Sequence, residues 1–434
     1  MKTTTSIATR ALLLAAAAGT LAGHAAAQDI EMAARAAGRT LPQGYYERIR
    51  REPGFFEFGN AWTQLGRQGQ ARLEAGGPIS FSAVPDGAHE LRMVVAMALF
   101  SDSGEPSFST EVTNQQLFGE NPLGNLTDFY LEISGGRVAV TGTVMPWVRT
   151  SLTLAEVVGS SMGLGGDARV GEYMVNALQQ MDAYTNFGQY DNNGPDGIPN
   201  SGDDDGFVDV AVFQYPEIPA SCGGPGVWPH RSRVSGWTGR PYFTNDRRPD
   251  GRPILVNDYI MQSTANCDGT PQSIATIAHE TGHAFGLGDY YDASEGLLPV
   301  QRRWVLGCWS LMAAGAWGCG DGGTFGKTVS PPHMSPYEKE YLGWLTPVVA
   351  EPGWRREYVL PPVQQSGRAL MVPLLGGYEY LLLEYRTNTG FDSALPAGGV
   401  LVYHVDNIRQ PPPGCGSCRI YRVGLVEADG DSAL

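Results

Sequence analysis

Residues 271–289 read PQSIATIAHETGHAFGLGD, and this stretch decides how the rest of the chain is interpreted. Apolar residues precede the two histidines at helical spacing, and Gly286 can end the helix in a left-handed turn. Residues four apart share one face of a helix, so His279 and His283 can present two imidazoles to the same cation. Glu280 then lies beside them, where a carboxylate can accept a proton from water. The pattern is typical of metal-assisted hydrolysis.

The third metal ligand is expected shortly after His283, because a catalytic zinc ion uses three protein ligands and one exchangeable water. Asp289 supplies a carboxylate oxygen at that place, and we predict that it is the ligand. Asp292 is its nearest competitor, followed by Glu295, and His333 is a more distant candidate. The alternative role for Asp289 is that of a helix-terminal or calcium-bound carboxylate.

Gly282 bears on whether the two histidines are only incidental residues of a surface helix. Glycine inside a helix costs about 1 kcal/mol relative to alanine. An ordinary solvated helix need not carry that cost, so a glycine at this position favours the zinc site.

The zinc motif resembles one found in a known family. The pattern His279-Glu280-x-x-His283-x-x-Gly286-x-x-Asp289 is similar to the extended motif of the immune inhibitor A family of metalloproteases, relatives of the metzincins. Three further blocks resemble segments of the same family, and they follow one another in the family's order: 227–231, 309–315 and 332–344. The resemblance runs from about Leu91 to the C-terminus and implies a metzincin-like catalytic domain with a mixed sheet and an active-site helix.

Two residues outside the zinc motif take roles from this resemblance. Met312 would form the apolar floor beneath the metal in the family's Met-turn, although a plain core methionine explains it equally well. Tyr337 would donate a hydrogen bond to the oxyanion, as tyrosines beyond the Met-turn do in other metzincins, or else it packs in the core.

The hydrophobic pattern predicts an α+β protein with a catalytic domain over residues 91–345 and a β-rich C-terminal module over 346–434. Residues 28–90 show weak periodicity and form either an N-terminal arm or a pro-segment. Strands are predicted at 91–100, 138–142, 207–215, 380–385 and 400–405, and helices at 125–133, 167–187 and 271–285.

The first 27 residues have the three parts of a secretory signal peptide. Lys2 and Arg10 precede or flank an apolar run, and Ala25-Ala26-Ala27 provides a cleavage site after Ala27. The run is nearer ~10–14 residues than the ~20 that a bilayer requires, so a membrane span is not expected. The net charge of −15 disfavours nucleic acid and anionic lipid as partners. We therefore predict an extracellular protein.

An even number of cysteines in an exported chain favours disulfide bonds. Cys308 with Cys319 and Cys415 with Cys418 are plausible local pairs, while the full connectivity stays open. The Cys415-Gly416-Ser417-Cys418 segment could instead be half of a zinc knuckle or a redox pair, but no second matching pair lies nearby.

Oxygen-bearing side chains are concentrated between Asp191 and Asp209, and no basic residue lies among them. Such a density of carboxylates repels itself unless a cation neutralises it, and calcium accepts six to eight oxygens from flexible loops. The segment is not a regular EF-hand, because no glutamate closes a twelve-residue loop. A solvated acidic loop is the alternative. The predicted calcium ligands are Asp191, Asn193, Asp196, Asp203, Asp205 and Asp209.

The sequence thus predicts a secreted zinc-dependent endopeptidase with structural calcium, which cleaves protein or peptide substrates by a zinc-activated water with Glu280 as general base. One alternative is a zinc hydrolase of another amide, such as peptidoglycan, since water activation does not name the substrate. The other is a catalytically silent, calcium-dependent secreted binding protein, against which the intact Glu280 argues.

Overall fold

The computed structural model describes residues 42–52, 54–59, 62, 89–122, 124–288, 290, 305–317, 330–351, 355–374, 378–407 and 422–428. Several sequence predictions fall outside these ranges: the signal peptide 1–27, Asp289 and its competitors Asp292 and Glu295, and Cys319, Cys415 and Cys418. Within the described ranges, no helix has the length and apolar content that crossing a bilayer requires.

A six-stranded mixed sheet forms the centre of the larger part of the molecule. Its strands are β1 (His89–Leu99), β2 (Val138–Val144), β3 (Val148–Arg149), β4 (Val210–Tyr215), β5 (His230–Arg233) and β8 (Asp258–Ser263). The order is β2-β1-β4-β8-β5, with β3 beside the end of β1. All pairs are parallel except β5 with β8, so the edge strand β5 runs antiparallel. Strands β4 and β8 are buried along their whole length, and β4 is accordingly apolar except for Gln214.

Two other sets of strands lie outside this sheet. A short hairpin consists of β6 (Tyr242–Arg247) and β7 (Pro253–Val256). A five-stranded second sheet has the order β13-β12-β11-β10-β9. Its strands are β9 (Val348–Val349), β10 (Leu370–Pro373), β11 (Glu379–Arg386), β12 (Gly399–Asp406) and β13 (Val423–Leu425).

Helices lie on both faces of the six-stranded sheet, and two more lie against the second sheet. The described helices are α1 (Gln43–Arg51), α2 (Thr110–Leu117), α3 (Leu126–Ser134), α4 (Leu154–Val158), α5 (Val170–Met181), α6 (Val234–Thr238), α7 (Ile274–Ala284), α8 (Pro336–Tyr341) and α9 (Val363–Ser366). Helices α3 and α7 contribute to the core on one face, and α5 contributes to the core on the other. Helices α8 and α9 lie against β11 of the second sheet. The mixed α+β architecture agrees with the sequence prediction.

Local chemistry accounts for where the helices begin and end. Helix α3 follows a capping box between Asn125 and Asp128 and ends at Gly135, whose φ is 63°. Helix α5 is shorter than the predicted 167–187 helix, because the side chain of Asn186 accepts the Gly188 amide and begins a separate 3-10 turn.

Residues 42–52 and 54–59 pack against the antiparallel edge of the sheet. The Arg48 guanidinium lies 3.8 Å from the centre of the Trp237 ring and donates to the Leu164 carbonyl at 2.7 Å. Ser232 of β5 donates its hydroxyl to the Phe55 carbonyl. A disulfide between Cys222 and Cys267 joins the segments that follow β4 and β8.

Candidate metal centre and active site

Helix α7 carries the two histidines and is buried along its whole length. Ile277 and Ala278 pack into the core beneath the sheet, and the Tyr130 hydroxyl donates to the Ala278 carbonyl at 2.6 Å. The helix begins at Ile274 rather than at 271, because the Gln272 amide is bonded to the segment after β8. Gly286, with a φ of 84°, provides the left-handed turn that the sequence predicts.

Each histidine has its Nδ1 atom fixed by a backbone carbonyl. The Nδ1 of His279 lies 2.8 Å from the Leu311 oxygen, and that of His283 lies 2.9 Å from the Leu287 oxygen. A carbonyl oxygen only accepts hydrogen bonds, so in neutral imidazoles both Nδ1 atoms carry the proton. Both Nε2 atoms therefore present a lone pair, as metal-ligating histidines do.

The two Nε2 atoms point at one another and are 3.2 Å apart. Two lone pairs at this distance repel each other unless a cation or proton lies next to both of them. Tetrahedral zinc with Zn–N distances of ~2.0–2.1 Å separates two nitrogen ligands by about 3.3 Å, so the spacing of His279 and His283 fits zinc. Among the residues that the structure describes, no three His, Cys, Asp or Glu side chains converge on a metal position.

Glu280 forms a buried ion pair that the sequence analysis did not anticipate. Its Oε2 atom lies 2.9 Å from Nη1 of Arg231, and the side chains are 11% and 5% exposed. Arg231 lies on the antiparallel edge strand β5, so the pair joins the motif helix α7 to that strand. The only sequence signal for it is that Arg231 ends the 227–231 block, one of those that carry the family resemblance.

Met312 lies directly against the motif helix. A Cβ atom added at Gly282 would overlap the Met312 sulfur and would also approach its methyl group. Met312 is fully buried, and the neighbouring Leu311 supplies the carbonyl for His279. The glycine is therefore explained by the close approach of the segment that was identified as the Met-turn.

His333 and Tyr337 are both buried. The Nε2 of His333 is 2.7 Å from Glu132 and its Nδ1 is 2.8 Å from the Lys339 ammonium, so both ring nitrogens are engaged. Burial, with Lys339 nearby, holds the pKa of His333 well below its usual value. Tyr337 packs edge to face on Tyr290 in a core cluster.

The acidic loop, residues 191–209, contains a buried carboxylate that forms no hydrogen bond with the described residues. Asp191 is fully buried, and neither of its carboxylate oxygens has a hydrogen-bond partner among the described residues. Burial, together with Asp205, Asp204 and Asp209, raises the pKa of Asp191 to about 8. The nearby Arg248 donates to the carbonyls of Asp204 and Asp205 and not to a loop carboxylate.

The other predicted calcium ligands divide into a buried and an exposed group. Asp209 is fully buried and accepts the Arg92 amide at 2.9 Å, and burial raises its pKa to about 8. Asn193 and Asp205 are half-buried, whereas Asp196 and Asp203 are exposed and bonded to each other through the Asp196 amide. Two residues that the sequence analysis did not select, Asn192 and Asp204, are buried in the same loop. Composition gave no signal that separated them from their neighbours.

Comparisons with known proteins agree on one family. Residues 105–345 match the family described as Immune inhibitor A peptidase M6, catalytic domain. The chain is 27% identical over 266 residues to Immune inhibitor A of Bacillus thuringiensis subsp. alesti, which covers 54% of this chain and 35% of that protein. It is 26% identical over 234 residues to the Pre-pro-metalloprotease PrtV of Vibrio cholerae serotype O1 (strain M66-2), which covers 52% and 24%. The match thus spans about a third and about a quarter of these relatives.

Proposed function

The chain belongs to the immune inhibitor A peptidase M6 family, and on that basis we propose that it is a secreted zinc-dependent endopeptidase that hydrolyses peptide bonds in proteins. The observation that carries the proposal is the pair of lone-pair nitrogens, His279 Nε2 and His283 Nε2, facing each other at 3.2 Å. A buried pair of this kind costs free energy in a protein that binds no cation.

Zinc is the metal that this donor set favours, with Asp289 as the proposed third ligand. When bound, zinc acidifies a water molecule toward a pKa near ~7 and polarises a carbonyl group. His279 and His283 present Nε2 because the carbonyls of Leu311 and Leu287 hold the proton on Nδ1. These carbonyl contacts also fix the ring planes and raise ligand basicity.

Glu280 is the proposed general base. It accepts the proton of the attacking water and passes it to the leaving amine. Arg231 donates to Oε2 and holds the carboxylate in one orientation beside the two histidines. A base fixed in this way needs no side-chain ordering at the moment of proton transfer.

We also propose a structural calcium ion in the acidic loop. Asp191 is the central proposed ligand, because a buried carboxylate without hydrogen-bond partners requires compensation by a cation. Asp209 and Asp205 are proposed with it, and Asp204 and Asn192 join them on grounds of burial. Asp196, Asp203 and Asn193 remain candidates from the sequence. The ion would hold the loop next to the start of β4.

The proposal also covers the division of the chain into domains. The mixed sheet with an antiparallel edge, the motif helix and the close approach of Met312 support a metzincin-like catalytic domain over 91–345. The second sheet supports a β-rich module over 346–434. Residues 28–90 are proposed as an arm or pro-segment, and residues 1–27 as a signal peptide. The disulfide between Cys222 and Cys267 suits an oxidising, extracellular compartment.

Casein hydrolysis with zinc quantification tests the proposal. The samples are wild type, Glu280→Gln, the exposed control Glu172→Gln, and wild type treated with a chelator and then restored with zinc. We expect stoichiometric zinc in all untreated samples, and activity only where Glu280 and zinc are both present. Stoichiometric zinc with cleavage of cell-wall peptides but not of casein would support an amidase instead. Zinc binding without cleavage of either would support the silent binding protein.

A further inference from the structure

A line of buried hydrogen bonds joins the metal centre to the second sheet. The Nδ1 of His279 donates to the Leu311 carbonyl at 2.8 Å, and the Leu311 amide donates to the His333 carbonyl at 3.2 Å. The His333 amide in turn donates to Oδ1 of Asp392 at 2.9 Å. Asp392 follows β11, so three successive bonds connect a proposed zinc ligand with a residue of the second sheet region.

Asp392 is itself held from two sides. Its Oδ1 lies 3.4 Å from Nη1 of Arg386, and its Oδ2 accepts from Gln364 at 2.8 Å. Arg386, on β11, also donates to the carbonyl of Met334 at 2.9 Å and to Oε1 of the buried Glu384, its closer carboxylate, at 2.9 Å. Asp392 and Arg386 are both fully buried. The pair therefore hydrogen-bonds to two neighbouring backbone groups, the amide of His333 and the carbonyl of Met334.

A buried ion pair contributes little to the free energy of unfolding, because desolvation of the two charges offsets most of their attraction. Its clearer effect is to fix geometry. The pair holds the backbone of His333 in place, and the His333 carbonyl in turn fixes the position of Leu311. The Leu311 carbonyl then fixes the ring plane and the tautomer of His279. His283 differs, because its acceptor Leu287 lies four residues away in the same segment. Among the hydrogen bonds of the described residues, the one that orients His279 leads to the second sheet.

We propose that Asp392, with Arg386, is a positioning pair for the zinc ligand His279, so that the second sheet is a working part of the metal centre. The inference rests on the proposed zinc site. Neither Asp392 nor Arg386 is proposed to contact the substrate or the metal. The expected signature is a change in zinc affinity and in the mobility of the Leu311 backbone, with the overall fold retained.

Three variants test the pair. Asp392→Ala removes the acceptor of the His333 amide. Asp392→Asn keeps an oxygen that can accept this amide but removes the charge that faces Arg386. Tyr403→Phe is the matched control, since the Tyr403 hydroxyl donates to Glu384 at 2.7 Å in the same buried network but contacts neither His333 nor Met334 in any described bond.

Zinc dissociation constants are measured by competition with a chromophoric chelator, and amide exchange is measured for Leu311 and His333 in the metal-free proteins. We expect Asp392→Ala to bind zinc about tenfold more weakly, Asp392→Asn to recover most of that loss, and Tyr403→Phe to match wild type. We expect exchange at Leu311 to be faster by about threefold or more in Asp392→Asn, a variant close in shape to the wild type.

Wild-type affinity and unchanged exchange in both Asp392 variants would overturn the inference. So would an equal loss in Tyr403→Phe, since general destabilisation would then explain it. Should Asp392→Ala not fold, the exchange result for Asp392→Asn decides. A wild type without stoichiometric zinc would refute the proposed function, while the exchange measurement would still decide whether the pair holds the Leu311 backbone.

Discussion

The motif helix and the acidic loop both gather groups suited to metals, but the sequence specifies them very differently. Helix α7 fixes His279 and His283 one turn apart, so their spacing alone predicts that they meet, and they lie 3.2 Å apart. The acidic loop has no such period, and only part of its predicted ligand set is buried. Regular backbone converts sequence spacing into distance, whereas a loop does not. The two sites should also differ in what their metals do.

The largest expected effect separates catalysis from stability. A zinc-selective chelator should abolish casein hydrolysis and lower the unfolding temperature less than calcium removal does, because helix α7 is already buried and hydrogen-bonded without the metal. Removal of calcium should lower the unfolding temperature, since Asp191 and Asp209 are then left as buried carboxylates. Calorimetry and activity assays on the same samples check both expectations. Equal losses of stability from the two treatments would remove the distinction between the sites.

The second prediction concerns the ion pair at the catalytic centre. Arg231→Met should lower kcat by about 10–100-fold with zinc content unchanged, because Glu280 loses the partner that fixes Oε2. The control is Arg233→Met, two residues along the same strand, whose partner Glu52 is half exposed. Steady-state kinetics with metal analysis provides the measurement. A variant that keeps wild-type kcat would show that the ion pair does not orient the base.

The sequence predicted the parts of the site that lie on one helix and missed those that come from elsewhere. His279, Glu280 and the turn at Gly286 follow from local spacing and glycine chemistry. The partners Arg231 and Leu311 lie 49 and 32 residues away from the groups they bond, and only folding brings them together. The local periodicity of a sequence does not show which distant residues will contact one another.

The same limit applies to the fold. Buried strands such as β1 and β4 could be predicted because their sequences are largely apolar, whereas β8, with Asp258, Gln262 and Ser263, was not predicted. The order of strands and the antiparallel direction of β5 could not, since both depend on pairing between distant segments. In the acidic loop, Asp191 and Asp196 have the same chemistry, and only the folded loop shows that the first is buried and the second exposed.

The third prediction tests the acidic loop through pH. The pKa of Asp191 is about 8 in the calcium-free fold, above its usual value, so the folded state holds a proton that the unfolded state has lost. The contribution of Asp191 to stability is then fully present below about pH 4 and is lost as pH rises toward 8. Asp191→Asn should remove much of this loss and stabilise the calcium-free protein at pH 7.5 by about 2 kcal/mol.

Urea unfolding across that pH range, with and without calcium, provides the measurement for Asp191→Asn. The exposed residue Asp196 offers the control Asp196→Asn, which should leave the pH profile unchanged. Calcium should stabilise the wild type far more than Asp191→Asn. If both proteins gain equally from calcium, Asp191 is not a ligand, and if neither gains, the loop is only a solvated acidic segment.

The smallest expected effect lies in the motif helix itself. Gly282→Ala should gain about 1 kcal/mol of helix propensity but lose about 1–3 kcal/mol through overpacking against Met312. The net result is a destabilisation of about 1 kcal/mol, with reduced zinc affinity because Met312 and Leu311 move together. Gly104→Ala is the control, since nothing lies within 4 Å of its added Cβ. A stabilised Gly282→Ala protein with unchanged zinc affinity would mean that Met312 yields freely and that the glycine is not required by the metal centre.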